Sequence, residues 1–320
     1  MSQKGTRIEH RNALLLHLGA LLTVVAWGSS FVMTKVILDN GDNSLTPTEA
    51  YVYRAIIAYV LMLLLSHRRI MSRDWKDEML FLVIGMCSGS IYFIAENTAL
   101  EYTLVSNVSL ITTTSPLLTA LLVGFVYKNE KPGVAVILGS AVALIGVGMV
   151  IFNSSLNLQV NPLGDLLALA AAFSWAVYSI VLRRVNATYD IMFITRKQFF
   201  YGLLTGIPFM LLSDEPAHLT VLLDPVVWGN LVGLGLVCSV LSFLVWNQAI
   251  KKLGTITTSN YLYIQPIVTL VISAIVLGEV ITVIGYTGCG LILAGVYLSD
   301  FLSRPRKPSW LSLRKKGSAT

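Results

Sequence analysis

The sequence predicts an all-α integral membrane protein: ten transmembrane helices, arranged as two inverted-topology five-helix repeats, with the N- and C-termini cytoplasmic. Three observations carry that prediction. Of the 320 residues 55% are apolar and only 12% charged, with a mean hydropathy of +0.72, which implies a bilayer as the solvent. The chain repeats itself. Its basic residues gather in alternate connections.

The repeat is marked by Asn97 and Pro116 in the first half and by Asn247 and Pro266 in the second, nineteen residues apart in each case. Gly139 and Gly146 answer to Gly288 and Gly295 after a one-residue slip, and Trp27 with Lys35 answers to Trp175 with Arg183, eight residues apart in each pair. Two related units in tandem account for this register.

Stretches of roughly 20 apolar residues suffice to cross the hydrocarbon core. A tail, residues 1–12, precedes span 1 at 13–38, whose apolar run exceeds a signal-peptide core and lacks a small-residue cleavage site. The first repeat, 13–152, continues with spans at 47–66, 77–99, 104–127 and 132–152. An extracytoplasmic loop, 153–161, leads to the second repeat, 162–302, with spans at 162–182, 190–212, 226–250, 255–278 and 281–302. A basic tail, 303–320, closes the chain.

Lys4, Arg7 and Arg11 precede span 1. Arg68, Arg69, Arg73 and Lys76 follow span 2, and Lys128 with Lys131, Arg183 with Arg184, and Lys251 with Lys252 follow spans 4, 6 and 8. With the C-terminal tail these make 19 of the 23 Lys and Arg residues, and the connections after the odd spans hold none. Basic loops stay cytoplasmic, so both termini are expected there, and five spans per half invert the second half against the first. Inverted repeats are the ground plan of alternating-access transporters, whose site lies near the midplane.

The net charge of +6 is absorbed by these loops and by a tail suited to anionic lipid, so no nucleic-acid partner is expected. Cys87, Cys238 and Cys289 fall inside spans and read as packing residues. Four scattered histidines, His10, His17, His67 and His218, form neither a metal site nor a hydrolase pair. With no phosphate-binding loop and no channel filter sequence, the expectation is a transporter and not an enzyme, without metal or cofactor.

Ionisable residues inside a membrane are costly and point to function by default. Glu96 leads, with Tyr92 one turn away on the same helical face and Asn97 beside it. Its carboxylate is suited to a substrate amine or to carrying a proton, and equally to an ion pair with Arg54. Arg54 and Arg196, early in spans 2 and 7, are matched candidates for gating or anion contact, or for pairing with backbone carbonyls or lipid phosphate. Lys35 and Asp165 lie close enough to helix ends to reach water.

Pro116 and Pro266 each remove a backbone hydrogen bond in mid-span, at sites suited to hinges. Tyr263 and Gln265 lie beside the second. Trp27, Trp175, Tyr178 and Trp246 sit away from the interfacial belt where tryptophan collects and serve either a cavity wall or helix packing. Gly139, Gly146, Gly148, Gly285, Gly288 and Gly290 permit close helix approach.

Together these residues resemble the drug/metabolite transporter superfamily, in its ten-helix group of two EamA repeats. The matching elements are Trp27-Gly28-Ser29-Ser30-Phe31, Tyr53-Arg54-Ala55, Ala99-Leu100-Glu101-Tyr102-Thr103, Ser115-Pro116 with Glu130, and Gln265-Pro266 with Gly278-Glu279. The resemblance covers residues 13–302. It implies spans 1–4 and 6–9 around a cavity, with spans 5 and 10 peripheral and suited to a homodimer contact or to packing within one subunit. It further implies a multi-pass plasma (inner) membrane transporter of a small-molecule substrate, most consistent with export of amino acids or related metabolites. An importer of a vitamin or organic anion and a lipid-handling protein are the alternatives. Substrate, direction and proton coupling through Glu96 stay open at this point.

Overall fold

The structure is a computed structural model that describes residues 3–66, 70–127, 134–156, 162–212, 219–279 and 282–303. Lys128, Glu130 and Lys131, Arg68 and Arg69, His67 and His218, residues 157–161 of the connecting loop and the tail 304–320 lie outside the described residues.

The main helical rods, in chain order, are α1 (Gln3–Leu38), α2 (Pro47–Leu65), α3 (Trp75–Tyr102), α4 (Val105–Val126), α5 (Val134–Leu156), α6 (Pro162–Asn186), α7 (Ile191–Leu211), α8 (Pro225–Leu253), α9 (Thr257–Val276) and α10 (Val283–Ser303). Among the described residues seven are long and apolar enough to cross a membrane: the Leu14–Leu38 part of α1, and α2, α3, α4, α6, α8 and α9. Helix α1 begins upstream of residue 13 because hydropathy marks the lipid-compatible part of a helix, while residues 3–12 contain no proline to stop it.

Helix starts are set by local polar groups. Thr46 and Glu49 form a reciprocal capping box ahead of Pro47, the Asp190 carboxylate accepts the Phe193 N–H at 3.2 Å, and Asp224 accepts the Val226 N–H at 2.8 Å ahead of Pro225. Each satisfies donors that the first helical turn leaves open. Gly254, at φ +91°, makes the tight turn from α8 toward α9, a backbone conformation that favours glycine.

Helices of the two halves interleave: α1 packs on α8 and α9, α2 on α7, and α3 and α4 on α6. Helices α5 and α10 pack closely on each other. A Cβ on Gly146 would stand 2.6 Å from the Gly288 carbonyl oxygen, and one on Gly295 would overlap the Gly139 carbonyl. These glycines therefore serve contact within one chain, the second of the two uses the sequence allows.

Four rods are interrupted, at matched places. Helix α3 carries a π segment at Met86–Ser90 and α8 one at Gly233–Leu241. Helix α4 stops at Thr112 and restarts at Ser115 with Pro116 in its first turn, and α9 runs through a 3-10 stretch, Asn260–Ile264, before restarting at Gln265 with Pro266 likewise placed. The prolines thus begin half-helices instead of kinking continuous ones, because a proline tolerates the first helical turn where no N–H is needed.

Candidate functional site

Where the interrupted helices meet, a tight cavity of about 20 Å³, room for about one water, lies among α1, α3, α4, α6, α8 and α9. Its aromatic wall is built from Trp27, Trp175, Tyr92 and Phe243. The Trp27 and Trp175 rings cross nearly at right angles with centroids 5.2 Å apart, Trp27 lies 5.4 Å from Phe243, and Tyr92 lies 5.2 Å from Trp175. Edge-to-face pairing of this kind fixes ring orientation as well as burying area.

Glu96 brings the negative charge to this wall. It is 5% exposed and accepts the Tyr92 hydroxyl at 3.0 Å, the one-turn spacing that puts both on one helical face. Opposite stand Ser30 on α1, Thr112 and Ser115 at the break in α4, and Gln265 at the restart of α9. An ammonium group entering here would meet a carboxylate and several aromatic faces, both favourable to a cation in a site shielded from water.

Of the residues predicted from the sequence, Glu96, Tyr92, Trp27, Trp175 and Gln265 line this cavity. The others are placed around it. Arg54 stacks over the Phe93 ring at 4.1 Å and donates to the Ser239 hydroxyl at 3.1 Å. The Glu96 carboxylate is held by Tyr92, and the Arg54–Glu96 ion pair, the alternative use read from the sequence, does not form among the described residues. Arg196 is not in the cavity. Its guanidinium donates to the Ser66 carbonyl at the far end of α2, so the matched arginines do not do matched work. Asn97 donates to the Pro47 carbonyl at 2.9 Å, and Tyr178 donates to Asn247 at 2.7 Å. Trp246 is fully buried behind Trp27, and Tyr263 packs beside Leu117 and Ala143. Asp165, expected to reach water, is 3% exposed.

The π segments supply something the sequence does not announce. Widening a helix by one residue frees backbone carbonyls, and each half claims one from the other: Trp27 Nε1 donates to the Cys238 carbonyl at 2.8 Å, and the Ser174 hydroxyl donates to the Cys87 carbonyl at 2.7 Å. Near one end of the bundle, Lys197 on α7 pairs with Glu78 on α3 at 2.8 Å, and Tyr201 donates to the same carboxylate. Lys197 is thereby tied into packing. Among the described residues no three His, Cys, Asp or Glu side chains are gathered as metal ligands.

A bundle of apolar helices interrupted around a polar, aromatic-walled cavity is the architecture of a membrane transporter. Residues 14–152 and 162–299 each match the EamA-like transporter family, and the chain belongs to that family, a family of transporters and not of enzymes. It is 28% identical over 289 residues to an uncharacterized transporter of Archaeoglobus fulgidus, covering 88% of this chain and 96% of the relative. It is 28% identical over 303 residues to a protein of Salmonella typhimurium named a probable amino-acid metabolite efflux pump, covering 92% and 97%. An Escherichia coli protein of the same name is 27% identical, covering 90% and 95%. One solved structure superposes with a TM-score of 0.62 at 18% identity, covering 92% of this chain and 98% of that one, a likeness of fold.

Proposed function

We propose that the chain is an alternating-access secondary transporter of the plasma (inner) membrane that exports amino acids or related ammonium-bearing metabolites. The observation that carries this reading is the Glu96 carboxylate, held by Tyr92 in a cavity walled by Trp27, Trp175 and Phe243. Ser115 and Gln265, at the two helix restarts, line the same cavity and are suited to the carboxylate of a zwitterion. The names carried by the Salmonella and Escherichia coli relatives support the same substrate class.

In this reading α5, α7 and α10 cross the membrane alongside the other seven apolar rods. The basic residues then place the ends of α2, α4, α6 and α8, and both termini, in the cytoplasm. Glu96 is also the group proposed to carry a proton if export is driven by the proton gradient. An organic-anion importer is less well supported, because Arg196 is committed to the Ser66 carbonyl.

The test compares the growth medium of cells expressing the parent chain, cells expressing Glu96→Gln at matched membrane abundance, and cells expressing neither. An ammonium-bearing metabolite that accumulates only with the parent supports the proposal. Accumulation with both proteins keeps the exporter and reduces Glu96 to a structural role, and depletion of a solute from the medium overturns export.

A further inference from the structure

The two halves are alike in sequence but not in contacts, and the differences are paired. On α1 the Lys35 ammonium donates to the Leu100 carbonyl at the end of α3, at 2.8 Å. At the same end of the bundle, the Val105 and Ser106 N–H groups opening α4 donate to the Glu279 carboxylate just beyond α9, at 2.8 and 3.2 Å. That end is drawn together. The repeat makes Arg183 the mate of Lys35, Ile250 the mate of Leu100 and Thr255 the mate of Val105. All three mates line an open vestibule of about 570 Å³ at the opposite end. There Arg183 stacks over the Tyr127 ring at the end of α4, at 4.5 Å, and the Ile250 carbonyl accepts the Gly254 N–H at 3.1 Å, which leaves its second lone pair for another donor.

A third contact shows the same asymmetry at the centre. Trp27 Nε1 donates to the Cys238 carbonyl. Its mate, Trp175 Nε1, is buried with no hydrogen-bond partner, and the mate of Cys238 is Ser88, in the other π segment. A buried donor left unpaired is costly, and a state that pairs it recovers that cost.

Resting on the alternating-access reading, we propose that Lys35 and Arg183 are alternate gate residues of one cycle. Lys35 on the Leu100 carbonyl closes the end that is closed here. Arg183 on the Ile250 carbonyl closes the opposite end in the other state, as Lys35 lets go and Trp175 takes the Ser88 carbonyl in place of Trp27 on Cys238.

The test uses the full chain with Cys87, Cys238 and Cys289 replaced and a single reporter cysteine introduced. One reporter is Thr257→Cys in the vestibule, labelled from the cytoplasmic side with a membrane-impermeant maleimide. The other is Ser106→Cys at the closed end, labelled from outside. Lys35→Gln is expected to raise labelling at 106 and lower it at 257, and Arg183→Gln to do the reverse, shifting the ratio of the two labellings by roughly 10- to 150-fold for loss of one charged hydrogen bond. The double variant returns toward the parent, and Lys35→Arg and Arg183→Lys restore it, which separates gating from misfolding. Reciprocal changes with Glu279→Gln but none with Lys35→Gln or Arg183→Gln would overturn the gate assignment while keeping alternation. Labelling that rises or falls at both reporters together would overturn alternation itself.

Discussion

Replacing Glu96 by Gln isolates its charge. The amide has the carboxylate's shape, its oxygen still accepts the Tyr92 hydroxyl that now lies 3.0 Å away, and no cavity is opened, so membrane abundance and melting temperature should match the parent. What disappears is one charge-assisted contact to an ammonium in a site only 5% exposed at this residue. Such a bond contributes about 1.5–3 kcal/mol, and 1.4 kcal/mol is a tenfold change in affinity, so half-saturation should rise roughly 10- to 150-fold. Glu96→Asp keeps the charge but withdraws it by about one carbon–carbon bond, roughly 1.5 Å, out of reach of Tyr92, and should fall between parent and Gln. The assay is concentration-dependent flux of a radiolabelled amino acid in proteoliposomes holding equal amounts of each variant. An unchanged half-saturation for Glu96→Gln would refute the assignment of the carboxylate to the substrate.

Three further outcomes are expected, each read by thermal unfolding in detergent. Gly146→Ala places a methyl 2.6 Å from the Gly288 carbonyl oxygen, where about 3.3–3.6 Å is an ordinary approach. Helices α5 and α10 must therefore separate, and stability should fall by about 1–3 kcal/mol. Lys197→Met strands the Glu78 carboxylate, whose side chain is 7% exposed, at about 3–5 kcal/mol, and Glu78→Gln added to it should recover part of the loss. Asp224 lies outside the spans, where the Val226 N–H above all, with Asn43 and Asn40, holds its pKa below the ordinary 3.8. A lowered folded pKa gives stability that is complete above the unfolded value and fades as pH falls through the folded one. The parent's advantage over Asp224→Asn should therefore shrink on acidification below about pH 4.

The repeat, the paired Asn and Pro positions and the alternating basic loops were readable in the chain because each is a departure from an apolar background. That background also hid a third of the cavity. Phe31, Phe93, Phe243 and Leu262 line it, yet apolar residues face lipid and neighbouring helices alike, so periodicity does not single them out. Ser30 and Thr112 carry a faint signal as small polar groups beside Trp27 and ahead of Pro116. Arg54 and Arg196 looked equivalent in sequence and differ because one packs on an aromatic ring and the other meets a helix-terminal carbonyl. Lys35, read as a residue merely near water, proved to hold two helix ends together. The π segments have no residue signature: Met86-Cys87-Ser88-Gly89-Ser90 contains nothing that forbids an ordinary turn.

Yet the π segment in α3 decides what that rod can do. Glu78 and Glu96 are eighteen positions apart, five whole turns of an unbroken α-helix at 3.6 residues per turn, and would lie along a single stripe. The segment at Met86–Ser90 absorbs about one residue and so rotates everything after it by about 100°. Glu78 can then turn toward Lys197 on α7 while Glu96 looks into the cavity. One inserted residue lets a single rod serve as an anchor at one end and a recognition surface at the other, and straightening that segment into an ordinary α-helix with every residue kept would aim both carboxylates the same way.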